Sequence, residues 1–249
     1  MDLEKTIMTH DNTITLYRWI LQEFTIAARL QDVNKVTPHL SPLVKTGDRV
    51  LDLCCGSGPM SFWFEEQGAE VTAIDYASYM IALAREQASR RSSTVEFIEA
   101  NVLEEDLGQE RYDLAGCFGN SISEFLMSDF VQLGKKVEAA LKPGGRFVIE
   151  YHDGCYPYIQ GERPRSGVLQ EAPERVTFQF KEYLPDRGAI VRVYRNETSG
   201  EEYAYTSHVY SVPAAQLAVG AGFIRERHFC LGENHFLDIF ARRKVGNAK

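Results

Sequence analysis

The sequence predicts an α/β protein: a doubly wound, mostly parallel seven-stranded sheet with helices on both faces. An N-terminal helical cap and inserted antiparallel strands forming a lid complete it. Three observations predict this. Between residues 48 and 150 short apolar runs alternate with stretches of helical periodicity, the pattern of a parallel sheet covered on both faces. From residue 175 the apolar period falls to two, as in antiparallel strands with one face buried. Before residue 45 apolar side chains recur at three- and four-residue spacing, which lines one face of a helix.

The elements follow in order. Ile14, Tyr17, Leu21, Phe24 and Ala28 lie on one helical face within 14–44, and Pro38 and Pro42 break that region. Residues 48–53 form a short apolar strand after Gly47, and Cys55-Gly56-Ser57-Gly58 turns into a helix over 59–67. A second strand over 69–75, a helix over 77–90, and strands at 95–98 and 112–118 continue the alternation. A helix over 128–141 leads through the turn Pro143-Gly144-Gly145 to a fifth strand at 146–150. Val176, Phe178 and Phe180 alternate with polar residues, and runs at 190–194 and 203–210 follow, separated by Pro185-Asp186-Arg187-Gly188 and Thr198-Ser199-Gly200, so an antiparallel meander is expected. A helix over 213–220, with Gly220 and Gly222 near its end, precedes two closing strands near 223–230 and 235–243. The chain reads as one domain over 1–249: a cap at 1–45, a core at 46–150, an insertion at 151–211, and a C-terminal helix with closing strands at 212–249.

Composition bounds the function. The 249 residues are 44% hydrophobic and 25% charged, which excludes collagen, wholesale disorder and a disulfide-dense miniprotein. The formal net charge is −8, so the chain lacks the cationic surface that drives phosphate-backbone binding, and no nucleic-acid partner is expected. The five cysteines are odd in number, with no CxxC pair and no zinc-like spacing, so no metal site is expected. The start lacks a signal-peptide pattern, and the longest stretch without Asp, Glu, Lys or Arg, Tyr203 to Ile224, is too polar to cross a bilayer. A cytoplasmic protein without a membrane partner, monomeric or homodimeric, is the expectation.

The segment Val50-Leu51-Asp52-Leu53-Cys54-Cys55-Gly56-Ser57-Gly58 carries the chemistry. A strand ends in a glycine-containing turn that opens a helix, where backbone N–H groups face outward and a ligand can approach closely. Asp75 ends the next strand, about 20 positions on, where an acidic residue hydrogen-bonds ribose hydroxyls. Together they predict a nucleoside-containing cofactor at the carboxyl ends of the strands. The spacing is not that of a dinucleotide site, because Ser61 stands where G-x-G-x-x-G needs its third glycine, and no phosphate loop is present.

The segment resembles motif I of the class I S-adenosylmethionine-dependent methyltransferases, a Rossmann-like family. The likeness extends to Asp75-Tyr76-Ala77-Ser78-Tyr79-Met80, to Glu99-Ala100-Asn101-Val102-Leu103, to Arg111-Tyr112-Asp113-Leu114, to Leu141-Lys142-Pro143-Gly144-Gly145 and to Ala221-Gly222-Phe223. It covers roughly 48–150 and 211–243. Two positions depart from the pattern: Cys54 replaces the first glycine of the triplet, and Asn101 stands where an aspartate is common. The N-terminal helices resemble those of glycine-type N-methyltransferases. Trp19 lies ten residues before Arg29, and Arg29 lies 21 before Val50. In that subgroup a Trp and an Arg so placed cover the cofactor, with Arg on its carboxylate. Cys117-Phe118-Gly119-Asn120-Ser121 also resembles that subgroup's fourth-strand end.

The resemblance implies S-adenosyl-L-methionine as cofactor and S-adenosyl-L-homocysteine as product. It implies a cofactor site built from Trp19, Arg29, Asp52, Cys54, Gly56, Gly58, Asp75, Tyr76, Met80, Asn101, Val102 and Cys117. A small-molecule acceptor methylated at nitrogen or oxygen is the leading expectation. The alternatives are a cofactor-binding module without turnover, which Cys54 permits, and a protein-directed enzyme. His152 follows the fifth strand in Glu150-Tyr151-His152-Asp153-Gly154 and is the candidate base, because histidine titrates near neutrality. Tyr151, His152, Tyr205 and His208 are the expected acceptor contacts, with Tyr156, Tyr158 and Tyr203 in the same aromatic group. Arg163-Pro164-Arg165-Ser166-Gly167 reads equally as a flap or a solvated loop, and His10, His39, His228 and His235 carry no chemical context.

Overall fold

The computed structural model describes residues 26–155, 166–170 and 174–243. The central sheet contains β1 (Arg49–Leu53), β2 (Glu70–Asp75), β3 (Glu96–Glu99), β4 (Tyr112–Cys117), β5 (Leu141–His152), β10 (Phe223–Cys230) and β11 (His235–Arg242). Its order is β10-β11-β5-β4-β1-β2-β3. The five strands from β3 to β5 run parallel, while β11 pairs antiparallel with both β5 and β10. Helices α1 (Ile26–Leu40), α2 (Pro59–Glu66), α3 (Ser78–Arg91), α4 (Met127–Ala140) and α5 (Val212–Val219) cover it. A second sheet of β6 (Ser166–Gln170), β7 (Val176–Leu184), β8 (Ala189–Asn196) and β9 (Glu202–His208) is antiparallel.

The parallel strands form where they do because both faces are covered. Leu51, Leu53, Ala115, Phe147 and Ile149 pack one side, and Val50, Ala73, Leu114 and Val148 the other. Each large side chain fully buried in this way contributes about 1.5–3 kcal/mol. The apolar runs in the sequence are these buried strands.

Three elements differ from the sequence expectation. Helix α1 runs through Pro38 to Leu40 instead of breaking there. The helix ends two residues after Pro38, and the Ser41 N–H and hydroxyl both reach the Thr37 carbonyl. Strand β5 begins at Leu141, before the Pro-Gly-Gly turn, and extends to His152. The turn survives as an irregularity in the β4–β5 pairing, with Gly144 at φ +81°. Finally, Ser166–Gln170 is a strand, where the sequence shows no period-two pattern.

The second sheet has a small core of its own, Val176 and Tyr194 with Phe178 and Tyr205 against them. Its last strand stands over the segment that follows β4. The Tyr205 hydroxyl donates to Glu124, and His208 Nδ1 lies 3.2 Å from the Ser123 carbonyl. The Tyr210 hydroxyl donates to the Phe125 carbonyl at 3.1 Å. Helix α5 starts with Ser211 accepting from the Ala214 N–H, and the Val212 N–H reaches Asp153 at 3.4 Å, which anchors the end of β5.

Candidate active site

Parallel strands present their carboxyl ends on one edge, and the loops there form the site. After β1 the chain takes φ +56° at Cys54, then φ +56° at Gly56 and φ +84° at Gly58, where α2 begins. Gly58 is required twice over. Its backbone is left-handed, and a Cβ there would sit 2.7 Å from the Phe97 ring. Cys54 adopts the same region with a side chain, which costs about 1 kcal/mol or more. Its thiol points at that of Cys117, and this contact with burial pushes the Cys54 thiol well up. The departure from the family's glycine is therefore absorbed as a strained turn whose thiol is engaged sideways.

Asp75 ties this turn to the next one. One carboxylate oxygen accepts the Gly56 N–H at 2.8 Å, and the other accepts the Ala77 N–H at 2.9 Å. Asp75, Cys54, Gly56, Tyr76, Met80, Asn101 and Val102 line a cavity of about 430 Å³. The Asn101 side chain is also bound to its own loop, accepting from the Leu103 N–H and donating to Glu104.

A smaller cavity of about 140 Å³ adjoins, lined by Asp52, Cys54, Val33, Val36, Glu150 and His152 among others. Asp52 is buried and accepts from the Ser61 hydroxyl at 2.5 Å. Burial pushes its carboxyl up to about 7, Ser61 pulls it back, and the neighbouring Asp75 charge adds to the rise. A third cavity of about 160 Å³ lies under the second sheet, with His152, Arg192, Tyr205, Ser207 and His208 in its wall. Asn120 lines all three. It sits at φ +59°, a region that Asn tolerates, and its side-chain oxygen accepts the His152 N–H at 2.9 Å.

Behind Asn120 lies a buried hub. One oxygen of Glu150 accepts the N–H groups of Gly119 and Asn120, and the other pairs with His235 Nε2. Glu150 and His152 are two residues apart on β5, and His235 is the register partner of His152 on β11, so the three share one face. The His152 and His235 rings stack with centroids 4.4 Å apart. One donor atom from each of the three lies within 4.8 Å of the others, a set able to hold a divalent cation where no metal ligands were expected. Both Glu150 oxygens already accept hydrogen bonds, so the cluster is closed on itself here.

Several expected site residues lie elsewhere. Tyr151 falls between Glu150 and His152 and so points to the opposite face of the sheet. It is fully buried, and its hydroxyl donates to Asp238 at 2.7 Å. That bond and burial push its phenol far up. Cys117 is buried in the core, and Gly58 packs against Phe97; neither lines these cavities. Trp19, Tyr156, Tyr158, His10 and Arg163-Pro164-Arg165 lie outside the described residues. Arg29 belongs to α1, four residues before Val33, and its side chain lies outside them as well. The residues that sequence reasoning passed over are Asn120, Glu150, Arg192 and His235. The signal available for the first was the Gly119-Asn120-Ser121 segment itself.

Comparison with known proteins agrees with this architecture. Residues 50–145 match a family model described as a methyltransferase domain. A 2-phytyl-1,4-naphtoquinone methyltransferase of Synechococcus elongatus is 25% identical over 194 residues, 74% of this chain and 75% of that protein. Among solved structures, the PH0226 protein of Pyrococcus horikoshii superposes with a TM-score of 0.72 at 24% identity, over 86% of this chain and 92% of that one. An aminopentose methyltransferase of Micromonospora echinaspora, solved with S-adenosylmethionine bound, gives 0.60 at 18% identity over 85% and 90%. The fold, Rossmann-like with a mixed sheet of seven strands, is shared with solved S-adenosylmethionine-dependent methyltransferases.

Proposed function

We propose that the protein transfers a methyl group from S-adenosylmethionine to a nitrogen or oxygen of a small-molecule acceptor, releasing S-adenosylhomocysteine, and that it works in the reducing cytoplasm. The observation that carries this is the meeting of three cavities at Asn120, at the carboxyl ends of the parallel strands. The donor set fits the cofactor. Asp75, Tyr76, Met80, Asn101 and Val102 line the larger cavity and receive the adenosine, with the Asp75 carboxylate on the ribose. Asp52 faces the smaller cavity, where a carboxylate pairs with the methionyl ammonium. Cys54 and Gly56 form the turn between the two ends. Cys117, Gly58 and Tyr151 hold the scaffold from behind.

The bound cofactor supplies an electrophilic methyl on a cationic sulfur: the acceptor's lone pair forms the new bond as the electron pair of the C–S bond returns to sulfur. The protein's part is alignment at short range, an effect worth several kcal/mol. Tyr205, His208 and His152 border the third cavity, which receives the acceptor. His152 also borders the smaller cavity, so it stands where the two reactants meet and can accept the acceptor's proton. All five cysteines are free thiols, and no helix among the described residues is long and apolar enough to cross a membrane.

The test is calorimetry with S-adenosylmethionine and its demethylated product. Both are expected to bind, and the absence of heat from both would end the reading. Affinity for the ammonium-bearing cofactor is expected to depend on pH. Burial holds Asp52 protonated up to about pH 7, with Asp75 and the Cys55 thiol as its titratable neighbours. A cation favours its ionised form, so binding below that pH releases a proton. Affinity should rise by up to about tenfold per pH unit towards pH 7 and level off above it. Asp52→Asn should flatten that slope, and an unchanged slope would place the ammonium elsewhere.

His152→Gln is expected to lower kcat by at least about tenfold while leaving cofactor affinity within about twofold. Mass spectrometry of small-molecule pools treated with enzyme and methyl-labelled cofactor identifies the acceptor for that assay. Full activity in the variant would remove His152 from proton transfer.

A further inference from the structure

The third cavity has a volume of about 160 Å³, roughly five times the share of one liquid water, so it takes a compact group. Asn120 and His152 line both this cavity and the smaller one, whereas His208 lines the third alone. His208 is therefore set back from the two cavities proposed for the cofactor.

The imidazole of His208 is fixed in place and in tautomer. His208 is the last residue of β9, where its pairing with Ala189 of β8 ends. The chain here is braced against the 3-10 turn Ser121–Glu124 and the residue after it. The Tyr205 hydroxyl donates to Glu124 and the Tyr210 hydroxyl to the Phe125 carbonyl. Between those two contacts, His208 Nδ1 lies 3.2 Å from the Ser123 carbonyl. Ser123 is itself held, its N–H donating to the Asn120 carbonyl at 3.0 Å and its hydroxyl accepting from the Asn120 amide at 3.3 Å. A carbonyl oxygen only accepts, so Nδ1 carries the proton. Burial holds the imidazole below its ordinary value, against the Ser123 carbonyl and the Asp129 charge, with the Arg187 charge adding to the fall. The ring is thus neutral, and Nε2 keeps a bare lone pair. Among the described residues Nε2 has no hydrogen-bond partner.

That nitrogen is a selective group. The hydroxyls of Ser123 and Ser207 in the same wall donate or accept and so adapt to either kind of partner, but a neutral Nε2 only accepts. A ligand that meets it with an O–H or N–H completes it. One that meets it with an ether oxygen or a hydrocarbon strips its water and returns nothing.

We infer that His208 is a specificity-determining residue whose Nε2 accepts a hydrogen bond from a hydroxyl or N–H group of the methyl acceptor, remote from the atom that is methylated. The inference rests on the methyltransferase reading and narrows it. The acceptor is a compact molecule with at least two polar groups: one gripped by His208, the other turned towards Asn120 and His152, where the cofactor's methyl end arrives. His208 holds the acceptor and moves no proton.

The experiment uses the full chain saturated with S-adenosylhomocysteine, whose own binding is measured first. Long-range proton–nitrogen NMR of the wild type at about pH 7 reads the His208 tautomer. A proton on Nδ1 and a bare Nε2 are expected, and a proton on Nε2 overturns the inference. Ethylene glycol and acetamide, the hydroxyl and N–H probes, are then titrated and followed by ligand-observed NMR. Their counterparts are the dimethyl ether of the glycol and the N,N-dimethyl derivative of the amide, which lack the donor. At least one donor probe is expected to bind the wild type about tenfold or more tighter than its methylated counterpart. His208→Phe should abolish that difference. His208→Gln, whose amide oxygen accepts where Nε2 stood, should keep part of it. S-adenosylhomocysteine affinity should be the same in all three proteins. Selective binding of the glycol alone points to a hydroxyl on the acceptor, and of acetamide alone to an N–H group. If neither donor probe binds, if the methylated counterparts bind equally well, or if the Phe variant keeps the difference, the inference falls while the methyltransferase reading stands. If S-adenosylhomocysteine gives no heat with the wild type, the broader reading fails first.

Discussion

Asp75→Ala is expected to weaken S-adenosylmethionine binding by more than tenfold and to lower stability at the same time. The first effect comes from the proposed ribose contact, since hydrogen bonds to a charged group contribute about 1.5–3 kcal/mol. The second comes from the fold itself. Asp75 accepts the N–H of Gly56 on one oxygen and that of Ala77 on the other, and it is buried. Its removal leaves two backbone donors without their acceptor, a cost of about 2–4 kcal/mol. Asp75→Asn keeps one acceptor oxygen and should fall between wild type and Ala in both measurements. Calorimetry reads the affinity and urea denaturation the stability. Unchanged affinity in the Ala variant would place the ribose elsewhere. Unchanged stability would show that the two turns hold without the carboxylate.

The largest stability effect is expected at Glu150. Its carboxylate is buried and serves three donors: Gly119, Asn120 and His235. Glu150→Ala leaves two backbone donors and a buried imidazole without a partner, with an expected loss of about 3–5 kcal/mol. Glu150→Gln preserves the shape and one acceptor oxygen, so a smaller loss of about 1–3 kcal/mol is expected. Cofactor affinity should fall with stability, because Gly119 and Asn120 line the larger and smaller cavities. Denaturation midpoints check the first statement and calorimetry the second. A wild-type midpoint for the Ala variant would mean that the segment after β4 is held by other contacts.

The parallel core was legible because its strands are buried on both faces and therefore appear as unbroken apolar runs. Asp52 and Asp75 were legible for a related reason: each stands at or near the end of such a run, Asp52 just before the glycine turn and Asp75 about 20 positions beyond it. Strand β6 was not legible. Ser166–Gln170 pairs along a single edge and carries no alternation of its own. The bend at Pro143-Gly144-Gly145 reads as a turn in any local window, yet pairing of Tyr112 with Leu141 draws the preceding residues into β5.

The site divides along the same line. The proposed adenosine half is written in contiguous segments, 52–58, 75–80 and 100–102, because each of its groups belongs to one strand and the loop after it. The proposed acceptor half is assembled from β5, the 3-10 turn at Ser121–Glu124, β8 and β9, whose separation along the chain exceeds any motif. Its composition depends on register. His235 meets His152 because β11 aligns with β5 at that pair, and Arg192 faces inward because it lies opposite Tyr205. A shift of one residue turns every side chain of a strand to the other face. That is why Tyr151, adjacent to two site residues, ends in the core against Asp238, and why a histidine with no local context stands behind the proposed base. Local chemistry announced a nucleoside-binding edge; only strand pairing across the sheet brought Glu150, His152 and His235 into one cluster.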